Sequence, residues 1–290
     1  MTAHKRIHIR KRPGKSIGGD VMLIIFLTIM GIIMALPLIF AVGNAFKPLE
    51  EYFVFPPHFI PRAPTLQNFK DLSNLLGNSL VPFSRYLFNT VFVTVAGTAG
   101  LIILGSMCAF PLAKRTFPGS KIIFVTIVGA LMFNGNVTAT PSYVIMTKLG
   151  LVDNYLSIIL PAFCLPIGLY IMKQFIEQMV PDSLLEAAQI DGATDMTLFW
   201  RIVMPIVRPA WLTLMLFAVQ QLWMTGNSLL LYSEEMKPLS YALSLIATSG
   251  LARAGVGGAV NFIMMSIPII VFILTQSNVT EAMSTSGMKD

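Results

Sequence analysis

Apolar and polar residues segregate along this chain on the scale of whole segments rather than of single helical turns. Six apolar stretches stand out: Val21–Gly43, Phe88–Ala113, Ile122–Thr147, Tyr155–Met172, Ala210–Tyr232 and Ala259–Ser277. Each approaches or exceeds the ~20 residues that a helix needs to cross the hydrocarbon of a bilayer. A chain in lipid must satisfy its backbone polar groups internally, and a helix does so without help from its neighbours. The pattern therefore predicts an all-α, polytopic membrane protein with about six transmembrane helices. No fixed-period repeat or linker divides it, so it reads as one membrane domain, residues 21–277, between terminal tails at 1–20 and 278–290.

The polar segments differ in character. The longest, residues 44–87, carries Pro48, Pro56, Pro57, Pro61, Pro64 and Pro82, which argue against regular structure over most of its length. Within it, Thr65 to Leu72 is expected to form a short helix capped by Thr65. The apolar stretches also have polar breaks. Asn134-Gly135-Asn136 and Pro141 interrupt the third, Gln220, Gln221 and Asn227 the fifth, and Asn261 the sixth. Such residues at membrane depth are tolerated where they face protein or a water-filled cavity. One reading is hydrogen bonding between helices, about 1–2 kcal/mol or less each. The other is a polar translocation path through Asn134, Asn136, Gln220, Asn227 and Asn261. Both stand at this point.

Composition agrees with the pattern: 55% of the 290 residues are hydrophobic and only 12% charged, against about 25% charged in soluble domains. The net charge of +6 might point to nucleic acid, but its placement points to topology. Lys5, Arg6, Arg10, Lys11, Arg12 and Lys15 precede the first stretch, Lys114, Arg115 and Lys121 fill the second loop, and Lys173, Arg201 and Arg208 lie in the fourth. The positive-inside rule then puts both termini and the loop 173–209 in the cytoplasm. The first stretch is too long for a signal-peptide core and has no A-x-A site after it, so it is expected to be retained. Cys108 and Cys164 fall inside apolar stretches and read as small buried residues, with no disulfide or metal site indicated. The histidines, His4, His8 and His58, lie outside the stretches and offer no buried metal or catalytic site. Gly14-Lys15-Ser16 is the nearest approach to a phosphate-binding loop, but Ile9 stands where the first glycine belongs. The chain is not expected to be an enzyme.

The loop 173–209 is the richest segment. Pro181-Asp182-Ser183 is a helix start, and Ser183 with Glu186 has capping-box spacing. Leu184, Ala187, Ala188 and Asp191 follow a helical period, and Gly192 suits the helix end, where a left-handed residue is often needed. Asp195 can start a second helix that Pro205 stops. The product is a helix–turn–helix lying across the membrane face, with a smooth Ala187-Ala188 surface. Glu186 either caps its own helix or faces a partner.

The spacing Glu186-Ala187-Ala188, three residues, Gly192, nine residues, Ile202, one residue, Met204-Pro205 resembles the signature loop of permease subunits in ABC importers. Met204 replaces the usual Leu there. Asp191-Gly192-Ala193 and Phe199 resemble the carbohydrate branch of that family. So do Ala45-Phe46-Lys47-Pro48, Phe55-Pro56-Pro57, Thr65 to Phe69, Arg85 to Thr90, Pro141-Ser142-Tyr143 and Leu149 to Asp153, so that the likeness covers nearly the whole chain. The order of parts is similar to the second permease subunit of maltose importers. The tail Glu281–Asp290 departs from the Gly-rich ending frequent in that family.

The resemblance implies a type I ABC importer permease fold and uptake of a sugar or oligosaccharide by alternating access. It implies that Glu186, Ala187, Ala188, Asp191 and Gly192 contact an ABC ATPase dimer, which binds ATP and Mg while this chain carries no cofactor. The other implied partners are a second permease subunit, an extracytoplasmic solute-binding protein and membrane lipid, in the plasma membrane of a prokaryote. Alternatives are a permease of the same class for a non-sugar solute and an ion-driven secondary transporter. The second would need ionisable groups at mid-membrane, which the apolar stretches do not show.

Overall fold

In the computed structural model, residues 17–77, 81–133, 135–225, 229–247, 250 and 253–286 are described. Among them all regular structure is helical. The crossing helices are α1 (Ile17–Phe46), α3 (Phe83–Lys114), the broken pair α6 (Leu156–Phe163) and α7 (Pro166–Met179), and α13 (Ala254–Ser286). Around them lie α2 (Gln67–Gly77), α4 (Ser120–Ala130), α5 (Gly135–Lys148), α8 (Asp182–Ile190), α9 (Asp195–Thr197), α10 (Met204–Ile206), α11 (Arg208–Trp223) and α12 (Leu239–Ala247). Four segments are individually long and apolar enough to cross a membrane: Val21–Phe46, Phe83–Lys114, Leu156–Met179 and Ala254–Gln276. A fifth arises if the helices on either side of a 78° bend, Asp195–Ile206 and Arg208–Trp223, count as one path.

α3 is the central beam. Its 32 residues pack against α7, α6 and α11. Close approach there depends on small residues. A Cβ on Gly100 would land inside the Phe163 ring of α6, and one on Gly97 would sit 2.6 Å from Leu222 Cδ1 of α11. Three apolar clusters follow the length of this beam. One joins Phe110 to Met172, Ile176, Leu198, Phe199, Val203 and Leu214. A middle cluster joins Val93, Ile158, Leu222 and Leu231. The third joins Tyr86 to Leu72, Leu239, Leu243 and Val260. The end that gathers Lys114, Met179, Asp182 and Arg208 is termed inner here, and the opposite end outer. α1 is different: none of its apolar window is buried, and it is packed only near its end, where Ala45 is sealed and Phe46 meets Phe69 and Phe262. A helix with an apolar surface all round suits lipid contact.

Several boundaries differ from the sequence expectation. The third apolar stretch is two helices, the first ending at Ala130 and the second beginning at Gly135; Pro141 lies inside α5. The fifth ends at Trp223 instead of Tyr232, and farther on the Tyr232 and Ser233 N–H groups are donated to Asp153 Oδ1 rather than to a helical ladder. The sixth begins at Ala254 and continues as helix to Ser286, so residues 278–286 are an extension of α13. α12 stands where only a loop was expected; its apolar side closes the outer cluster through Leu239 and Leu243.

The segment 44–87 is also more ordered than its prolines imply. A 3-10 turn spans Leu49–Phe53, and α2 runs from Gln67 to Gly77, with Thr65 Oγ1 accepting the Gln67 N–H at 3.1 Å. Buried Asn68 donates to the Ala45 and Lys47 carbonyls at 2.9 and 2.8 Å, which fastens α2 to the end of α1. Buried Lys47 donates to Asn44 Oδ1 and to the His58 carbonyl, with its ammonium over the rings of Phe40 and Tyr52. Tyr52 donates to the Asn44 carbonyl at 2.5 Å, and burial pushes its hydroxyl pKa up to about 12. Cys108 and Cys164 are free and exposed on the surface of the chain, not buried as their apolar neighbours suggested. Trp223 is buried, donating to the Met264 carbonyl at 3.1 Å, so it serves packing.

Candidate functional site

The elbow from Pro181 to Ile206 forms at the inner end. Proline at 181 adopts φ −67° and ψ 140° and caps α8 without any side-chain hydrogen bond, so the expected Ser183–Glu186 capping box is not made. Proline already supplies the extended entry, and the first turn includes Asp182 instead, whose charge favours a helix N-terminus. The buried side of α8 is Leu185 with half-buried Ala188; of the stripe Leu184, Ala187, Ala188 and Asp191, all but Ala188 are exposed. Glu186, Ala187, Gln189 and Ile190 consequently point away from the bundle. Among the described residues Glu186 has no hydrogen-bond or ion-pair partner. Ile190 is 88% exposed, an unusual position for so apolar a side chain outside the spans.

The C-terminus of α8 is a Schellman turn. The Ala193 N–H reaches the Ala188 carbonyl at 2.9 Å and the Gly192 N–H reaches Gln189 at 3.0 Å, with Gly192 at φ +84°. Only glycine holds that backbone region without steric cost. Ala193 then tucks against the inner cluster, and Thr194 caps the next helix, its hydroxyl accepting the Thr197 N–H at 3.4 Å. The second arm runs through α9, a π-helical stretch Leu198–Val203 and α10. It therefore passes through Pro205, the expected stop, and breaks at Val207. The wider π spacing, in which the Met204 N–H reaches Phe199 five residues back, precedes the proline that has no donor to offer.

The elbow is bolted to α3. Lys114 Nζ lies 2.8 Å from Asp182 Oδ1 and 3.5 Å from the Glu177 carbonyl, with its own side chain only 7% exposed. Arg115 pairs with Asp195 at the start of the second arm. Lys173 pairs with Glu177 at 2.5 Å and lies over the Phe124 ring. The Arg115–Asp195 pair is exposed on both sides and contributes at most about 1 kcal/mol, whereas Lys114 meets Asp182 from a nearly buried position, and the burial of Leu185, Leu198, Phe199 and Val203 adds to the holding. The arrangement is a fixed ridge carrying two carboxylates, small side chains and one bare isoleucine. Such a mixture is suited to contact with another protein surface, and it has no nucleophile–base pair for chemistry.

A second polar site at the outer end escaped sequence reasoning. Fully buried Asn89 donates to the Glu235 and Lys237 carbonyls at 2.7 and 2.9 Å and accepts from Tyr155 Oη at 2.8 Å. Thr90 Oγ1 accepts the Leu239 N–H at 2.7 Å, and Tyr86 donates to Glu234 Oε1 at 2.9 Å. Asp153, at φ +59°, accepts the N–H groups of Tyr232 and Ser233 and the Ser233 hydroxyl. The Ser233 hydroxyl above all, and then these N–H groups, hold the Asp153 carboxyl below its ordinary range. The only signals were polar residues at the edges of apolar stretches.

Asn134 and Asn227 lie outside the described residues, and for Asn136 only its place in α5 is described. Gln220 on α11 and Asn261 on α13 are exposed on the chain's surface. A cavity of about 290 Å³ opens instead between α5, α6 and the end of α11, lined among others by Ser142, Tyr143, Pro161, Gln221 and Thr225. Tyr143 and Tyr232 share a hydroxyl contact of 2.7 Å beside it. Among the described residues no group of three or more His, Cys, Asp or Glu is placed to hold a metal ion.

No family model matches the chain. Protein LplC of Bacillus subtilis (strain 168) is 33% identical over 218 residues, covering 73% of this chain and 70% of that protein. The polygalacturonan/rhamnogalacturonan transport system permease protein YtcP of the same organism is 32% identical, covering 73% and 72%. The trehalose transport system permease protein SugB of Mycobacterium tuberculosis (strain CDC 1551 / Oshkosh) is 29% identical over 270 residues, covering 87% and 91%. Among solved structures, a chain of a bacterial ABC transporter involved in import of the acidic polysaccharide alginate shares the fold. It matches with a TM-score of 0.74 at 24% identity, covering 92% of this chain and 99% of that one.

Proposed function

This chain belongs to the permease subunits of carbohydrate ABC importers, and from that premise we propose that it imports a sugar or oligosaccharide by alternating access, with the elbow 181–206 as its ATPase contact. The observation that carries the reading is the unpartnered outer face of α8. Glu186, Ala187 and Ile190 are exposed beyond the bundle on a helix whose other face is anchored, and Glu186 has no role in capping its own helix. A carboxylate, small residues and an apolar side chain on a rigid ridge suit a groove with a basic group. Asp191 and Gly192 complete the ridge, and half-buried Ala188 joins its exposed face to the bundle.

In this scheme both termini and the elbow lie on the cytoplasmic side, as the Lys and Arg placement favours. ATP and Mg bind a pair of ABC ATPase subunits, whose closure carries the elbow with it. A second permease subunit completes the translocation cavity, and an extracytoplasmic binding protein delivers the solute. The lining of the α5/α6/α11 cavity offers hydroxyls and one carboxamide and no charged side chain, which supports passage of an uncharged sugar ring.

The test is co-purification. The tagged chain, expressed with its partner subunits, should retain the ATPase, and Glu186→Arg should release it or uncouple hydrolysis from uptake without lowering the thermal stability of the chain. Full ATPase retention and full uptake in Glu186→Arg would overturn the assignment.

A further inference from the structure

We propose that α3 is the transmission element of this subunit, with Lys114 and Arg115 at one end and Asn89 and Thr90 at the other acting as positioning residues. Through them, movement of the elbow is delivered to the outer segment 234–239. The inference rests on the reading of the elbow as the ATPase contact.

The inner attachment is double. Lys114 holds the first residue of α8 and Arg115 the first residue of α9, so one helix end grips both arms of the elbow. Beneath the ion pairs, Phe110 of α3 meets Phe199 with ring centroids 6.1 Å apart. The elbow therefore has little freedom to tilt about Gly192 without moving the end of α3 or breaking both pairs. The outer attachment is also multiple and reaches far along the sequence. Asn89 holds two carbonyls of the segment 235–237, Thr90 holds the Leu239 N–H, Tyr86 holds the Glu234 carboxylate, and Arg85 Nε donates to the Glu235 carbonyl. These partners lie 146 to 150 residues from α3 in the chain.

α3 runs as helix from Phe83 to Lys114, about 48 Å over its 32 residues at 1.5 Å per residue, with Pro111 inside its last turn next to the inner attachment. Its middle is pressed against α6 and α11 at Gly100 and Gly97, so it has no room to bow toward them. A close-packed beam with fixed ends moves as a unit and does not absorb displacement locally. α1, by contrast, has no buried residue in its apolar window and packs on α13 rather than on the elbow. Coupling of this kind is reciprocal, so events at the outer segment must also bias the elbow.

The experiment uses the complete importer in nanodiscs and follows hydrogen exchange of residues 182–195 and 229–247 without nucleotide and with ATP plus vanadate. In the unaltered complex, ATPase docking should protect the elbow and nucleotide should change exchange in the outer segment. Lys114→Asp with Arg115→Asp should lose most of that outer change, and adding Asp182→Lys and Asp195→Arg should restore part of it. Thr90→Val, a buried isosteric replacement far from the elbow, should keep the elbow protection and lose the outer change. An undiminished outer change in either the Lys114/Arg115 variant or Thr90→Val overturns the proposal while leaving the elbow assignment intact. Absence of elbow protection in the unaltered complex overturns both.

Discussion

Gly192 offers a way to separate backbone geometry from surface fit at the elbow. Its φ of +84° costs an L-residue about 1–2 kcal/mol, and a Cβ placed there meets no atom of this chain within 4 Å. The penalty is therefore purely conformational. Escaping it means opening the two turn bonds from Gly192 and Ala193, which contribute about 1 kcal/mol each. A loss of 1–2 kcal/mol depopulates the docking geometry roughly 5- to 30-fold. Asparagine tolerates the left-handed region better than alanine, and β-branched valine worst. The number of ATP molecules hydrolysed per solute imported, measured in proteoliposomes, should rise in the order Gly, Asn, Ala, Val. The melting temperature of the bundle should fall only slightly, because a side chain at 192 meets no packed atom although Ala193 beside it rests on the inner cluster. If collision with a partner governed the effect, the larger asparagine would be worse than alanine. That ranking, or an alanine variant as tightly coupled as the parent, would refute the conformational argument.

Further predictions concern the beam and the outer site. Gly100→Leu drives a side chain into the Phe163 ring and should lower stability by about 1–3 kcal/mol; thermal melting in detergent measures it, and Phe163→Ala should recover part of the loss. Asn89→Ala orphans two carbonyls and the Tyr155 hydroxyl in a fully buried position, and denaturant titration should register a loss of about 3 kcal/mol. The depressed Asp153 carboxyl stabilises the outer tie fully above the unfolded aspartate value of about 3.9 and loses it as pH falls through the lower folded value. The protection factors of the Tyr232 and Ser233 amides, taken against the intrinsic exchange rate at each pH, should therefore be flat from neutral pH to about 5 and fall only in stronger acid, whereas Asp153→Asn should be less protected throughout.

The membrane character was legible because apolar length is a one-dimensional property: α1 and α3 can be read directly from runs of Leu, Ile, Val and Phe. The elbow was legible for a related reason, since Pro181 and Gly192 are local punctuation with fixed backbone consequences, although Pro205 did not end the second arm. Its register was not. Leu184 and Leu185 are adjacent leucines, and which one turns inward depends on where Phe110 and Met172 happen to stand. The shortened fifth span did carry a local mark, the Gly226-Asn227 pair just past Trp223, but the tie of Tyr232 to Asp153, 79 residues away, had none. The same holds for Asn89 and Thr90, whose partners lie across the bundle. Lys114 and Arg115 were visible only as charge, and their ion pairs with Asp182 and Asp195 required the folded chain. Asn134, Asn136, Gln220, Asn227 and Asn261 were singled out by polarity alone, which cannot distinguish a lining from an outer surface.

The two cations at the end of α3 belong to two stages in the life of the chain. While the polypeptide is being threaded into the bilayer, Lys114 and Arg115 are part of the bias that decides which way its second hairpin points. Once assembled, the same side chains fasten the elbow. Neutralising them would disturb biogenesis and mechanics together. An engineer wishing to re-tune the grip would do better to alter the acidic partners, which have no comparable say in threading.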